Sequence, residues 1–159
     1  MKAAEDSQSP RTNRIITFYS YKGGVGRSMA LANVAAVLAQ LGRRVLVIDF
    51  DLEAPGIERY FDQPGLLERK ADPKGEVVPG FVDMLIGIRD GRPIDWRQCI
   101  TEFNGPYLAA PIHLIRAGSD RGNYAAKAQS LNWENLFTEH GLGDHLARLR
   151  VEWSEAYDP

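Results

Sequence analysis

The chain has 159 residues, of which 44% are hydrophobic and 25% are charged, as expected for one ordinary globular domain. A formal net charge of −2 excludes a global positive field that would draw the whole chain onto nucleic acid or an anionic membrane. The single cysteine, Cys99, excludes an intramolecular disulfide and any metal site built from two thiolates of one chain. No apolar run reaches the roughly 18 residues of a membrane span, so we predict a soluble protein, and the single cysteine suits a reducing cytoplasm.

The N-terminal part of the chain predicts a tail followed by the first elements of one domain. Residues 1–13 are polar and mixed in charge, so we expect a flexible tail there and a single domain over 14–159. The β-branched and aromatic residues 14–20 predict a first strand that ends in a glycine cluster. Helix-forming residues 28–41 predict the first helix, with Gly42 at its C-terminus.

The next segment completes a strand–helix–strand pattern. Residues 45–48 are apolar without alternation, which is typical of a strand buried on both faces of a parallel sheet. A helix of about 14 residues is long enough to return the chain to the start of a neighbouring parallel strand. We therefore predict a right-handed βαβ unit and an α/β fold.

The remaining residues give weaker indications. Turn signals and charge predict mostly surface loop with short helical pieces over 52–80. Helices are predicted at 81–88, 133–140 and 143–157, and a third strand at 112–115.

The junction between the predicted first strand and first helix has the features of a phosphate-binding loop. Backbone N–H groups and the positive end of the helix dipole converge there, which forms an anion site. In the frame of the pattern G-x-x-x-x-G-K-[ST], Gly26 and Ser28 match, whereas Tyr21 stands at the first glycine and Arg27 at the lysine.

The loop more closely resembles the deviant P-loop of the MinD/ParA family of ATPases, K-G-G-x-G-K-[ST]. Six of the seven positions match; Lys22 is the additional lysine characteristic of that family, and Arg27 is the exception. Asp49 and Asp51 follow the second predicted strand and are similar to the family's D-x-D ending. More loosely, the chain resembles a bacterial subgroup often called KGGVGR-motif variant ATPases, in which arginine replaces that lysine.

This resemblance implies a role for each motif residue. ATP would be bound by Lys22, Gly23, Gly24, Val25, Gly26, Arg27, Ser28 and Met29. Ser28 would ligate Mg²⁺ and Asp49 would support its shell, while Asp51 would orient or deprotonate the attacking water. Lys22 would reach across an ATP-bridged homodimer to the partner's phosphates, so Lys22 and Asp51 are the expected catalytic residues.

The resemblance also implies a fold and a function. The fold would be a P-loop NTPase parallel sheet flanked by helices, truncated before the Walker B strand, because residues 155–159 resemble the lead-in to that strand. The function would be an ATP-binding and ATP-hydrolysing dimerisation switch that acts on an unidentified partner protein or C-terminal domain. The alternative is a nucleotide-sensing interaction module with little hydrolysis, which Arg27 and the absent strand favour. Nothing in this segment indicates nucleic-acid or membrane binding.

Other interpretations of the glycine-rich loop remain open at this point. A dinucleotide-binding βαβ unit also has an acidic residue about 20 residues after its glycines, where Asp49 lies, but Met29 is too bulky for its third glycine. A glycine turn without a ligand is a further alternative. Cys99 alone disfavours the related nitrogenase iron protein, and no substrate site indicates an ATP-dependent amidoligase.

Overall fold

The structure is a computed structural model that describes residues 14–21, 26–69, 77–119 and 123–158 of the chain. The predicted tail at 1–13 lies outside the described residues. The same holds for four residues of the predicted phosphate loop, Lys22, Gly23, Gly24 and Val25.

The described residues form helices and strands that alternate irregularly along the chain. The helices are α1 (Arg27–Gln40), α2 (Glu58–Phe61), α3 (Phe81–Arg89), α4 (Tyr124–Gln129), α5 (Trp133–Thr138) and α6 (Leu142–Ala156). The strands are β1 (Val45–Ile48), β2 (Glu68–Arg69), β3 (Ile100–Asn104) and β4 (Ile112–Ile115), and a 3₁₀ turn at Trp96–Cys99 precedes β3.

The strands form one mixed sheet in the order β1-β4-β3-β2. β1 pairs in parallel with β4, and the register places Val45 opposite Ile112 and Ile48 opposite Ile115. β3 pairs antiparallel with both β4 and β2. The predicted α/β class and the parallel pair flanked by helices are confirmed, and the antiparallel strands make the sheet mixed.

Both faces of the parallel pair are covered by helices, as the apolar run of β1 predicted. On one face Val47, Ile112 and Leu114 pack against small residues of α1 such as Ala35 and Ala39. On the other face Ile115 packs with the cluster formed by α3, α5 and α6, and Leu46 and Ile48 lie against that cluster. Alternate side chains of β1 thus enter two separate cores, because successive side chains of a strand point to opposite faces.

The prediction of a first strand at residues 14–20 is wrong in this structure. The segment forms no backbone ladder, and Ile15 and Ile16 are 63% and 60% exposed. A strand requires a neighbour that pairs its N–H and C=O groups, and β1 pairs with β4 rather than with this segment. The predicted βαβ unit is therefore not formed; the parallel pair is instead β1 and β4, joined through residues 49–111.

The other predicted elements are confirmed with small shifts of their ends, and several further elements were not predicted. The strands at 45–48 and 112–115 are present as predicted, and Gly42 takes the left-handed conformation (φ 77°) beyond α1. The sequence analysis did not predict β2, β3, α4 or the 3₁₀ turn. In β3, buried Thr101 and Phe103 alternate with less buried neighbours, a period-two pattern that was present in the sequence.

None of the helices in the described part of the chain has the length and hydropathy that a membrane crossing requires.

A close backbone contact fixes α3 on the carboxyl end of β4. The first N–H groups of α3 donate to the chain beyond β4: Phe81 to the Arg116 carbonyl (2.7 Å) and Val82 to the Ala117 carbonyl (2.9 Å). A Cβ atom on Gly80 would lie 2.4 Å from the Cα atom of Gly118. Glycine at position 80 therefore permits the approach of two backbones that positions α3.

We predict that Gly80→Ala destabilises the protein by about 1–3 kcal/mol, because the added methyl group meets backbone atoms that cannot move aside. The matched control is Gly143→Ala in α6, where the new Cβ would meet only Phe137 Cδ1 at 4.0 Å. That control is expected to be neutral or stabilising by up to about 1 kcal/mol, since alanine favours helix. Urea unfolding midpoints of the two variants give the comparison, and equal midpoints would contradict the contact.

Candidate functional site

The N-terminus of α1 lies where the sequence predicted an anion site. Gly26 precedes the helix in the left-handed conformation (φ 77°), and its carbonyl accepts from the Ala30 N–H at 2.9 Å. In the part of the chain that the structure describes, no side chain caps this helix and its first turn contains no acidic residue. The first N–H groups and the positive end of the dipole of a 14-residue helix thus lie without a side-chain acceptor.

Arg27 is the first residue of α1, and its side chain is directed at the carboxyl end of β1. Its Nη2 atom donates to Asp51 Oδ2, and the two side chains are 30% and 31% exposed. The other carboxylate oxygen of Asp51 accepts from the Ala54 N–H at 3.1 Å. A cation in the first turn of a helix is disfavoured by the dipole, so the pair with Asp51 offsets that repulsion.

Asp49 is buried, with 6% of its surface exposed, and it organises the loop that follows β1. Its Oδ1 atom accepts from the Asp51 N–H at 3.1 Å. Its Oδ2 atom accepts from the N–H groups of Gly56 (3.1 Å) and Ile57 (3.4 Å). Three backbone donors compensate the loss of water around this carboxylate, and they close residues 50–57 into a defined loop.

The side-chain oxygens near the start of α1 are of the kind that bind Mg²⁺. The Ser28 hydroxyl lies in the first turn of α1, and carboxylate and hydroxyl oxygens are the ligands that this ion prefers in proteins. Among the described residues no group of three or more His, Cys, Asp or Glu side chains converges on one point. Mg²⁺ commonly uses one or two protein ligands plus water and substrate phosphates, so such a group is not required. Asp49, whose oxygens already accept three N–H groups, fits a contact through water better than direct ligation.

The structure brings part of the predicted site together. Arg27 and Asp51 are in direct contact, and Asp49 contacts the backbone of Asp51. Ser28 follows Arg27 in the first turn of α1, and Met29 is exposed beside it. Gly26 forms the turn before the helix, whereas Lys22, Gly23, Gly24 and Val25 lie outside the described residues.

A small cavity next to this place was not predicted from the sequence. It has a volume of about 190 Å³, and its lining comprises residues 116–119 beyond β4, Pro55 from the loop after β1, Glu58 at the start of α2, and Tyr124. The Tyr124 hydroxyl donates to the Leu52 carbonyl at 2.9 Å. Burial raises the pKa of Tyr124, and the negative charges of Asp49 and Asp51 raise it further.

Tyr124 therefore lies close to both carboxylates and links α4 to the loop after β1. No sequence signal marked it, because it lies more than 70 residues beyond Asp51 and only the fold brings the two together.

The N-terminal part of the chain matches a known protein family. A protein-family model described as an AAA domain matches residues 13–56, which include the glycine-rich loop, α1, β1 and both aspartates.

Several curated proteins are also similar to parts of the chain. A protein named as a tyrosine-protein kinase, EpsB, of Ralstonia nicotianae is 34% identical over 150 residues, covering 83% of this chain and 20% of that protein. An iron-sulfur cluster carrier protein of Aquifex aeolicus is 35% identical over 107 residues, covering 59% of this chain and 29% of that protein. The septum site-determining protein MinD of Synechocystis is 54% identical over 39 residues, covering 24% of this chain and 15% of that protein.

These matches cover only part of each relative. The chain spans about a fifth of the EpsB protein and less than a third of the carrier protein. No solved structure matches the chain at a significant level. The resemblance to MinD/ParA-type P-loop ATPases is nevertheless confirmed, since the AAA domain model matches residues 13–56 and proteins of several names in that group are similar to the chain.

We predict that Asp49→Asn destabilises the protein by about 1–3 kcal/mol, because the new amide group presents N–H donors to backbone N–H groups and leaves some of them unsatisfied. Amide hydrogen exchange at Gly56 and Ile57 should accelerate in the variant. Glu53→Gln removes the same charge from an exposed side chain of the same loop and is the control. Equal unfolding midpoints for the two variants would show that Asp49 does not hold the loop.

Proposed function

We propose that the chain, which resembles MinD/ParA-type P-loop ATPases, binds Mg²⁺-ATP at the start of α1 and that the full-length protein hydrolyses it as a dimerisation switch. The observation that carries the proposal is the meeting of Arg27 and Asp51 at the N-terminus of α1. A phosphate-binding cation, uncapped helix N–H groups and a carboxylate that can receive a proton lie together there. The N-terminus of a helix attracts phosphate through both its dipole and its backbone donors.

The proposal assigns phosphate binding to the residues at the helix start. The backbone N–H groups of residues 24–28 would donate to the β-phosphate, and the Arg27 guanidinium would donate to the β and γ oxygens. Arginine keeps the charge of the usual lysine, but it presents a planar fork of donors instead of a compact point charge. Met29 would contact the nucleotide from the exposed side of the first turn.

The proposal assigns proton transfer to Asp51. Water attacks the γ-phosphorus, the bond from that phosphorus to the β–γ bridging oxygen breaks, and the water's proton passes to the Asp51 carboxylate. The backbone supports this role, because the Ala54 N–H holds Asp51 Oδ1 and leaves Oδ2 toward the helix start. When bound, Mg²⁺ supplies charge neutralisation on the phosphate oxygens. Ser28 would hold it directly, and Asp49 would hold it through water.

The switch part of the proposal rests on the family resemblance. Lys22 would reach the phosphates of a second copy, so that ATP bridges a homodimer and hydrolysis releases it. The output would be an unidentified partner protein or a C-terminal domain. We also propose that residues 14–159 form part of one P-loop domain after a flexible tail at 1–13, and that the protein acts in the cytoplasm.

A second candidate function is a nucleotide-sensing interaction module that binds ATP but scarcely hydrolyses it. The observation that favours it is Arg27 at the lysine position, because the different geometry of arginine can preserve phosphate binding while it weakens stabilisation of the transition state. Phosphate release under conditions that saturate binding separates the two candidates.

We predict that Mg²⁺-ATP stabilises the folded chain. A ligand at 100 times its Kd adds about 2.7 kcal/mol to the free energy of unfolding, which raises the melting temperature of a domain of this size by roughly 5 °C or more. Thermal melting with Mg²⁺-ATP, with adenosine and with NAD gives the measurement. No shift at millimolar ATP in a folded chain would contradict the proposal, and a shift with NAD instead would favour a dinucleotide site.

We predict that, in the full-length protein, Asp51→Ala abolishes phosphate release while ATP binding remains, whereas Ser28→Ala weakens the Mg²⁺-dependent part of binding. The reason is that Asp51 acts on the water and Ser28 acts on the ion. Glu53→Ala, which removes an exposed carboxylate nearby, is the control and should behave as the parental chain. Hydrolysis by Asp51→Ala at the parental rate would show that the water-orienting role is wrong. No hydrolysis by the full-length parental protein at saturating ATP would favour the sensing module.

A further inference from the structure

The ion pair between Arg27 and Asp51 joins two groups that have different proposed roles in ATP hydrolysis. Arg27 is proposed to bind phosphate and Asp51 to activate water, yet in this structure each contacts the other. We infer that the pair is a latch: Asp51 and the phosphates of the nucleotide compete for Arg27, and phosphate binding releases Asp51 to act on the attacking water. The inference rests on the proposed function and adds its regulation.

The chemistry of the two partners makes them exchangeable. A guanidinium presents its N–H donors in a planar fork that fits carboxylate and phosphate oxygens alike, so the phosphates and Asp51 compete for Arg27. Both side chains are about one-third exposed, at 30% and 31%. Water can therefore reach the pair, and an ion pair of that exposure is weak enough for a phosphate to break.

The backbone around Asp51 keeps its carboxylate in place when the arginine leaves. The Asp51 Oδ1 atom accepts from the Ala54 N–H at 3.1 Å, and the Asp51 N–H donates to Asp49 Oδ1 at 3.1 Å. Neither bond involves Arg27. Departure of the guanidinium thus exposes Oδ2 while the side chain remains held at its other oxygen, which is the condition for orienting a water molecule.

The neighbouring carboxylate cannot serve as the latch. Asp49 is 6% exposed, and its two oxygens accept from three backbone N–H groups of the loop 50–57. Releasing it would open the loop and leave buried donors unsatisfied. Asp51 is therefore the acceptor that a phosphate can displace without unfolding local structure, and the exchange is confined to one side chain.

The latch predicts that part of the free energy of phosphate binding is used to break the ion pair between Arg27 and Asp51. Asp51→Asn should tighten binding of ADP, measured without Mg²⁺ so that ion coordination does not contribute. We expect Asp51→Asn to lower the Kd for ADP about two- to fivefold more than Glu53→Gln does. Glu53→Gln is the control because it removes an equal charge two residues away. That difference should vanish when both substitutions are repeated in an Arg27→Gln background. Isothermal titration calorimetry of the full 159-residue chain gives the four comparisons, with circular dichroism to verify folding.

The outcomes separate the latch from the proposed function. Equal effects of Asp51→Asn and Glu53→Gln in the parental background would overturn the latch, because they would reflect net charge alone. A tightening that persists in the Arg27→Gln background would overturn it as well. If neither ADP nor ATP binds to the parental chain or to the Asp51→Asn variant, the proposed function itself fails, and the exchange fails with it. Arg27→Lys provides a second variant should Arg27→Gln misfold, and its compact charge should weaken the coupling.

Discussion

The parallel pairing of β1 with β4 is the interaction on which the rest of the structure depends. It places the carboxyl ends of both strands at one edge of the sheet, and the Asp49 N–H continues the ladder to the Ile115 carbonyl at 2.9 Å. The loop after β1 and the loop after β4 therefore face each other. The two aspartates come from the first loop, and the walls of the cavity lined by Tyr124 come from both.

The pairing also sets which helix covers which face. Because side chains of β1 alternate between two cores, α1 packs on one face and α3 on the other, and both cores must form for the strand to be buried. The close approach of Gly80 to Gly118 then fixes the start of α3 against the end of β4. The candidate site lies at the edge that these contacts hold rigid.

Electrostatics at the helix start are the second organising feature. Arg27 lies in the first turn of α1, where the dipole disfavours a cation, and the contact with Asp51 offsets this repulsion. A bound phosphate would offset it as well. The same unfavourable charge thus favours both the contact with Asp51 and the proposed binding of phosphate.

The chain's own residue pattern determined β1, β4, α1 and α3, because β1 and β4 are short apolar runs typical of buried strands and α1 and α3 are runs typical of helices. It also indicated the glycine-rich motif from Lys22 to Ser28 and the pair of aspartates after β1, since both are recognised by their spacing along the chain. The segment 14–20 has the composition of a strand, but composition does not supply a pairing neighbour.

Only the tertiary structure decided which strands pair, which contacts the two aspartates make, and where Tyr124 lies. β3 and β4 pair as an antiparallel hairpin, and this pairing buries Thr101 and Phe103. Asp49 and Asp51 look equivalent in sequence, yet one is held by backbone N–H groups and the other by an arginine. Such differences arise from loop geometry and long-range packing, which are properties of the assembled fold and have no local sequence signal.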